Sequence, residues 1–219
     1  MTPTFSSDDL DDTAVEILEA ASRRFLHYGY GKTTMSEIAK DCNMSTGNLY
    51  RYFPAKMDIA ESFVRALRGE QIAKLRAAAL TPEGLTPDER LRTFLRLKFK
   101  LAYDRFHDRP KAYELSSEIM RERRAFAEEW ENAEASLIVE ILDLGEAAGA
   151  FPPSDKRRLA RIIQDLVFRF TSPAVFHEGD AEQLGSELDD IIDLLLDAFA
   201  WRRGQGRPAS SMSARPQTI

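Results

Sequence analysis

The sequence predicts an all-α fold, in which a small N-terminal helix-turn-helix head precedes a larger helical body. Apolar residues recur at spacings of three and four along most of the chain, and no alternating run or two-residue hairpin turn indicates a strand. Capping residues, Pro and Gly divide the chain into about nine helices. The chain has 219 residues, of which 43% are hydrophobic, so it can bury a sizeable core.

The clearest local pattern lies in residues 34–56 and predicts two short helices joined by a tight turn. Thr34 and Glu37 have the spacing of a capping box, so the first short helix is expected to begin after Thr34. Asn43 tolerates the left-handed backbone conformation that a sharp turn requires. Ser45 is the predicted N-cap of the second short helix. This arrangement is typical of a helix-turn-helix motif.

The second short helix has a surface suited to reading DNA. It is expected to run from residue 46 to 53, where Pro54 ends it, and only Leu49 and Phe53 are clearly suited to a core. Asn and Arg can read base edges, whereas hydroxyl groups can hold phosphates. The predicted residues at or near base edges are Thr46, Gly47, Asn48 and Arg51. The side chains predicted to position phosphates from their chemistry are Thr34, Ser36, Ser45, Tyr50 and Tyr52.

This region resembles the signature of the TetR family of transcriptional regulators. The matching residues are Thr34, Ile38-Ala39, Ser45, Gly47, Leu49-Tyr50, Tyr52-Phe53 and Lys56. The resemblance extends from Phe25 and Gly29 into the helix after Lys56, which is about the first third of the chain. One difference is the turn, where this chain has Cys42-Asn43 instead of Ala-Gly. By resemblance, Lys56 is a further phosphate contact, and the helix that it begins transmits a signal between head and body.

The charge distribution agrees with a DNA-binding head inside an acidic protein. The net charge is −6, which argues against non-specific coating of nucleic acid by the whole chain. Residues 22–68 nevertheless contain eight Lys and Arg against four Asp and Glu. A chance local excess remains the alternative. The single cysteine, Cys42, excludes an internal disulfide and is expected to be a buried apolar side chain rather than a redox sensor.

The expected organisation has four segments: a disordered arm at 1–10, the DNA-binding domain at 11–57, the ligand-binding and dimerisation domain at 58–203, and a disordered tail at 204–219. Thr13 and Ser154 are the predicted N-caps of the first and penultimate helices, and Thr86 with Pro87 begins another helix. We expect no signal peptide and no membrane span, and a cytoplasmic location.

Aromatic residues in the middle helices are accompanied by a few polar groups, which is typical of small-molecule sites. By family resemblance, an effector pocket is expected between Leu91 and His177. The candidate residues are Phe94, Lys98, Tyr103, His107, Tyr113, Trp130, Phe168 and His177. For each of them, an ordinary core residue is the default interpretation. For Lys98, the favoured interpretation is a side chain that extends to the surface, and the alternative is a contact with an acidic ligand inside.

The last two helices, at about 155–172 and 181–202, have more apolar surface than one neighbouring helix would cover. In the TetR family the corresponding pair forms a dimer interface, and two heads could then read a palindrome. We therefore expect a homodimeric repressor that a small apolar or amphipathic effector releases from its double-stranded DNA operator. The alternative is a dimeric DNA-binding protein without a small ligand, controlled by a protein partner.

An enzyme is not expected. Asp104 and His107 have the spacing of two metal ligands on a helix, but a bundle di-metal site would require a second such pair. No phosphate-binding loop, serine elbow or Cys/His cluster is present in the sequence. No cofactor or metal is predicted.

Overall fold

The computed structural model describes residues 11–107, 109–172, 176 and 180–204. Nine α-helices and no strand lie within these ranges, which confirms the all-α prediction. The helices are α1 Asp12–Tyr28, α2 Met35–Asp41, α3 Thr46–Tyr52, α4 Lys56–Ala79, α5 Pro87–Phe106, α6 Pro110–Glu122, α7 Arg124–Ala147, α8 Lys156–Val167 and α9 Ala181–Gly204. The arm predicted at 1–10 lies outside the described residues, as does the predicted tail beyond Gly204.

Two helices begin at aspartates and not at the hydroxyl residues predicted from spacing. Asp11, not Thr13, caps α1, and its Oδ1 accepts a hydrogen bond from the backbone N–H three residues later at 2.7 Å. Asp155, not Ser154, caps α8 in the same way, at 3.1 Å. A carboxylate satisfies a free helix N–H as a hydroxyl does and also interacts favourably with the helix dipole. The helix start predicted at Thr86 and Pro87 is confirmed, and Thr86 and Glu89 exchange hydrogen bonds there as a capping box.

The described residues fall into two compact units, one within Met1–Ala73 and Asp104–Glu131 and the other within Lys74–Tyr103 and Asn132–Ile219. In the first unit, one hydrophobic core includes side chains from the first four helices, from α6 and from the start of α7. Its fully buried members include Phe25, Ile38, Leu49, Ile59 and Ile119. The core that supports the helix-turn-helix motif therefore extends beyond residues 11–57, although the predicted domain boundary itself stays a prediction.

A short break separates α6 from α7, within a run of four charged residues at 121–124. Arg123 adopts a non-helical conformation there, with φ −119° and ψ 65°. Its guanidinium lies 2.6 Å from Asp58 Oδ1 and 2.9 Å from Glu61 Oε2, both on α4. Two ion pairs thus hold the break against the first turns of α4, within the first unit.

In the second unit, the buried apolar side chains come from the end of α4, α5, α7, α8 and α9, and include Leu91, Phe94, Ile138, Ile163 and Leu188. Ion pairs run along the edges of these helices. Arg96 Nε donates to Asp189 Oδ1 at 2.7 Å, which joins α5 to α9, and Arg76 Nη1 donates to Glu140 Oε2 at 2.8 Å, which joins α4 to α7.

A glycine near the end of α7 allows an aromatic ring to lie directly on the helix. A Cβ atom at Gly145 would come within 1.9 Å of the Phe151 ring. Phe151 is buried and also packs on Phe199 of α9, with ring centroids 4.9 Å apart. The overlapping atoms belong to an aromatic ring and not to the end of a flexible side chain. Only glycine therefore fits this position without displacing Phe151.

Helix α8 is shorter than the apolar stripe in the sequence predicts. The α-helix ends at Val167 and continues as a 3₁₀ helix, Phe168–Thr171. Ser172 is then extended, with φ −91° and ψ 120°. A residue before a proline is disfavoured in the α conformation, and Pro173 follows, so the tightened last turn and the extended Ser172 agree with this restriction.

Candidate nucleic-acid interface

The first helix of the motif, α2, is fixed at its N-terminus by the predicted capping box. Glu37 Oε2 accepts hydrogen bonds from the backbone N–H of Thr34 at 2.9 Å and from its hydroxyl at 2.8 Å. The Glu37 N–H donates in return to Thr34 Oγ1 at 3.3 Å. The Thr34 hydrogen bonds hold the pKa of Glu37 below its ordinary value. Thr34 and Ser36, both predicted to position phosphates, are exposed beside this cap.

The turn between α2 and α3 has the geometry predicted from Asn43. This residue adopts φ 51°, the left-handed conformation, and its N–H donates to Lys40 O at 3.1 Å. The N–H of Met44 donates to Ala39 O at 3.0 Å. These hydrogen bonds satisfy the last carbonyl groups of α2 and direct the chain into α3. Cys42 is buried, as predicted, and burial raises the pKa of its thiol, so the residue is a packing residue.

Helix α3 is anchored on one side and open on the other. Ser45 is its N-cap, since its hydroxyl accepts a hydrogen bond from the Asn48 N–H at 3.1 Å. Leu49 is fully buried and Phe53 is buried, so these two side chains attach the helix to the core. The remaining residues are exposed or half-buried, namely Thr46, Gly47, Asn48, Tyr50, Arg51 and Tyr52. A helix held in this way presents small, polar and aromatic groups outward.

The outward side chains of α3 differ in the contacts that they make with the rest of the protein. Arg51 is exposed and makes no hydrogen bond or ion pair within the described part of the chain, so its guanidinium is available to a partner. Tyr50 is 49% exposed. The Asn48 amide lies 4.0 Å from Met44 Sδ, a weak contact, and Tyr52 packs partly against the core. Gly47 has open space around it, because a Cβ would meet nothing closer than Ser45 Oγ at 4.0 Å.

Several of the basic residues counted between positions 22 and 68 are engaged by the protein's own groups. Arg24 binds Asp41 through two hydrogen bonds of 2.5 and 3.0 Å, which joins α1 to α2. Arg65 pairs with Glu61 and Glu129, at 3.2 and 2.8 Å. The local charge count therefore overstates the charge that is free to meet DNA. Sequence alone could not show the Arg24–Asp41 and Arg65–Glu129 pairs, because these partners lie on other helices.

Lys56 is also engaged within the protein. Its Nζ donates to the backbone carbonyls of Tyr30 and Thr33, at 2.7 Å each, and lies 4.2 Å from the centroid of the Tyr30 ring. Both acceptors belong to the loop between α1 and α2. These contacts were not foreseen from the sequence, in which Lys56 follows them by 26 and 23 residues.

The residues predicted to contact an effector are distributed over both compact units. Phe94, Lys98, Tyr103 and Phe168 belong to the second unit, whereas His107, Tyr113 and Trp130 belong to the first, and His177 lies outside the described residues. Tyr103 contacts Phe99 and Phe176, with ring centroids 5.8 and 5.2 Å apart.

The other aromatic candidates have different surroundings. Tyr113 packs on Phe106 at 6.4 Å, and the Arg68 guanidinium lies 4.6 Å from the Trp130 ring centroid. Phe94 is fully buried, whereas Phe168 is 66% exposed in the 3₁₀ helix.

The favoured interpretation of Lys98 was wrong. The side chain does not extend to the surface but is buried, and its Nζ lies 2.7 Å from Glu134 Oε2, which is also buried. Helix α7 supplies the carboxylate that makes burial of the ammonium tolerable. The partner is far away in the sequence, so helical periodicity on α5 could not reveal it.

The residues that the structure describes contain no group of three or more His, Cys, Asp or Glu that could hold a metal ion. None of their helices is long and apolar enough to cross a membrane.

The fold and the exposed face of α3 define a helix-turn-helix DNA-binding protein. The model of the family "Bacterial regulatory proteins, tetR family" matches residues 17–63, and that of "Tetracyclin repressor-like, C-terminal domain" matches residues 87–192. The chain belongs to the TetR family of transcriptional regulators. It is a DNA-binding transcriptional regulator of this type.

Named relatives are similar over most of the chain. The HTH-type transcriptional repressor KstR of Rhodococcus jostii (strain RHA1) is 26% identical over 201 residues, which are 88% of this chain and 89% of KstR. The fatty acid degradation regulator FadR from Bacillus halodurans has a similar structure, with a TM-score of 0.65, 23% identity, and coverage of 86% of this chain and 97% of FadR. FadR from Bacillus subtilis, solved in complex with stearoyl-CoA, has a TM-score of 0.64 at 21% identity and covers 83% of this chain and 97% of its own.

Proposed function

We propose that this regulator is a repressor that binds a palindromic operator as a homodimer in the cytoplasm and that a small apolar or amphipathic effector lowers its affinity for that operator. The observation that carries the proposal is the exposed polar face of α3, held outward by the buried Leu49 and Phe53. Such a face suits the major groove of B-DNA, which admits an α-helix.

The outward side chains have separate proposed roles. Arg51 and Asn48 would read base edges, since Arg pairs with guanine and Asn with adenine through two hydrogen bonds each. Gly47 and Thr46 would allow the helix backbone to approach the bases. Hydroxyl groups would fix the register of the head on the phosphates and carry no sequence information themselves. They belong to Thr34, Ser36, Ser45, Tyr50 and Tyr52. Lys56 differs from these residues, because its ammonium already donates to two backbone carbonyls of the protein.

A dimer through α8 and α9 is supported by apolar side chains that the single chain leaves in solvent. Leu194 is 71% exposed and Trp201 is 58% exposed, both on α9. Leu166 of α8 and Phe168 of the 3₁₀ helix are exposed as well. Exposed large apolar residues on neighbouring helices are typical of a protein interface. A two-fold dimer would present two α3 helices, which a palindromic operator with suitable half-site spacing would match.

An apolar or amphipathic effector is supported by the aromatic contacts of Tyr103 with Phe99 and Phe176 in the second unit. The stearoyl-CoA complex of Bacillus subtilis FadR motivates the choice of probe, although at 21% identity that likeness concerns the fold. The ammonium of Lys98 is already paired with Glu134, so we assign the effector's polar group to other residues.

The experiment has two stages. Selection from random duplex DNA identifies an operator, and fluorescence anisotropy then measures its affinity with and without stearoyl-CoA, with coenzyme A alone as the control for the acyl chain. We expect a palindromic site, two chains per site, and weaker binding in the presence of the acyl compound only. Tyr103→Leu should reduce the response to the effector, and Tyr103→Phe, which keeps the ring that contacts Phe99 and Phe176, serves as the comparison. If acyl compounds and other amphipaths leave the affinity unchanged, the effector proposal fails and control by a protein partner becomes the better hypothesis.

A further inference from the structure

The loop between α1 and α2, residues 29–33, is closed by hydrogen bonds to its own carbonyl groups. The N–H of Thr33 donates to Tyr30 O at 3.2 Å, and the Thr33 hydroxyl donates to Gly29 O at 2.9 Å. Thr33 is buried, and the Tyr30 ring packs on Phe25 of α1, with centroids 5.5 Å apart. This loop sets where α2 begins, because Thr34, the residue after it, is the N-cap of α2.

The first residue of α4 completes this closure. Lys56 Nζ lies 2.7 Å from both Tyr30 O and Thr33 O, so two of the three ammonium donors are used on the loop. The Tyr30 ring lies on another side of the ammonium, 4.2 Å from Nζ to the ring centroid. Hydrogen bonds from a charged donor are among the stronger ones in proteins. The start of α4 is therefore tied to the segment that positions α2.

The surroundings of Lys56 agree with an internal role. The residue is half-buried, and desolvation lowers the pKa of its ammonium below the ordinary value of 10.5, while the charges of Glu118 and Glu37 oppose that shift. To bind a phosphate with its full set of donors, the ammonium would have to leave two carbonyl groups that then lose a charged partner.

We propose that Lys56 is a positioning residue for DNA binding, which holds the loop at 29–33 and thereby the N-terminus of α2, and that its charge is not used to neutralise a phosphate. This inference rests on the proposed operator binding by the head. It differs from the phosphate contact implied by family resemblance in a measurable way. A phosphate contact contributes to the salt dependence of binding, whereas a positioning contact contributes to affinity alone.

The test compares the full-length protein with Lys56→Met, which keeps most of the side-chain length and removes the donors and the charge. Operator affinity is measured by anisotropy at several salt concentrations, and amide hydrogen exchange is measured over residues 29–37 without DNA. We expect affinity at least tenfold weaker, a slope of log K against log salt equal to that of the natural protein, and faster exchange in the loop and at the start of α2. A slope smaller in magnitude by about 0.9 would instead assign a phosphate to Lys56 and overturn the proposal.

Lys32→Met is the matched control, since Lys32 is exposed in the same loop and makes no hydrogen bond within the described residues. It removes the same charge and should leave the hydrogen exchange unchanged. Unchanged exchange and affinity in Lys56→Met would also overturn the proposal. If the natural protein binds no selected DNA, the proposed function fails first and this role falls with it. That outcome is distinct from a natural protein that binds and a Lys56→Met variant that behaves identically.

Discussion

Adding one methyl group at Gly47 should change the stability of the protein and its affinity for DNA in opposite directions. Gly47 is the second residue of α3, is exposed, and has no heavy atom within reach of a new Cβ except Ser45 Oγ at 4.0 Å. The free energy of placing alanine in a helix is lower than that of placing glycine, by about 0.5–1 kcal/mol in an interior position and by less near an end. Gly47→Ala should therefore raise the unfolding temperature by at most about 1–4 °C.

The same methyl group should weaken operator binding. If the backbone of α3 approaches the base edges at this position, the methyl occupies space that the DNA requires, and we expect a loss of about tenfold or more, which corresponds to about 1.4 kcal/mol. Thermal unfolding by circular dichroism measures the first effect and fluorescence anisotropy the second. Gly69→Ala, in the middle of α4 with nothing within 4 Å, is the control for helix propensity alone. Unchanged operator affinity in Gly47→Ala would refute the close approach of α3.

Three further predictions concern the supporting structure. Gly145→Ala should destabilise the second unit by about 1–3 kcal/mol, because the new Cβ overlaps an aromatic ring, and denaturant unfolding measures this. Glu134→Ala should cost about 3–5 kcal/mol in the free energy of unfolding, since it removes the carboxylate from the buried Lys98 ammonium. The hydrogen bond from Arg24 lowers the pKa of Asp41 below 3.8, so its stabilising effect is present above about pH 4 and is lost as the pH falls through the lowered pKa. Asp41→Asn should flatten the acid limb of a stability–pH curve.

Each of these predictions has a control. Gly69→Ala should not destabilise the protein, and if Gly145→Ala behaves like it, the ring does not occupy the space above Gly145. Lys98→Met combined with Glu134→Leu should recover part of the stability lost in Glu134→Ala, because neither charge is then buried. If Asp41→Asn and the natural protein lose stability with the same pH dependence, the ion pair between α1 and α2 does not contribute.

The features that could be predicted from sequence depend on contacts within a few residues. The capping box of Thr34 with Glu37, the left-handed Asn43 and the cap at Ser45 all involve positions at most three apart or a single backbone angle. Helical periodicity likewise identified the helices, because it is a property of consecutive residues. The same local rules were ambiguous at the start of α1, where three residues of capping type, Asp11, Asp12 and Thr13, are consecutive.

Features that depend on distant partners could not be predicted in the same way. The Arg24–Asp41 pair joins residues 17 apart, and Lys56 reaches carbonyl groups 26 and 23 residues earlier. The burial of Lys98 depends on a carboxylate of another helix. A charged side chain has one preference from its own chemistry, namely exposure, and only the packing of helices shows that a partner is near. The number of basic residues between positions 22 and 68 likewise overstates the charge available to DNA, because Arg24 and Arg65 are paired with carboxylates on other helices.

The central claim is that α3 reads DNA, and the measurement that tests it most directly combines random-sequence selection with anisotropy on the natural protein and on the double variant Arg51→Ala, Tyr50→Phe. Both side chains are exposed, so the double variant should unfold at the same temperature as the natural protein. We predict saturable, salt-dependent binding to one selected sequence by the natural protein and loss of that binding in the double variant. A selection that yields no preferred sequence, or a double variant that binds the selected sequence as tightly, would contradict this account.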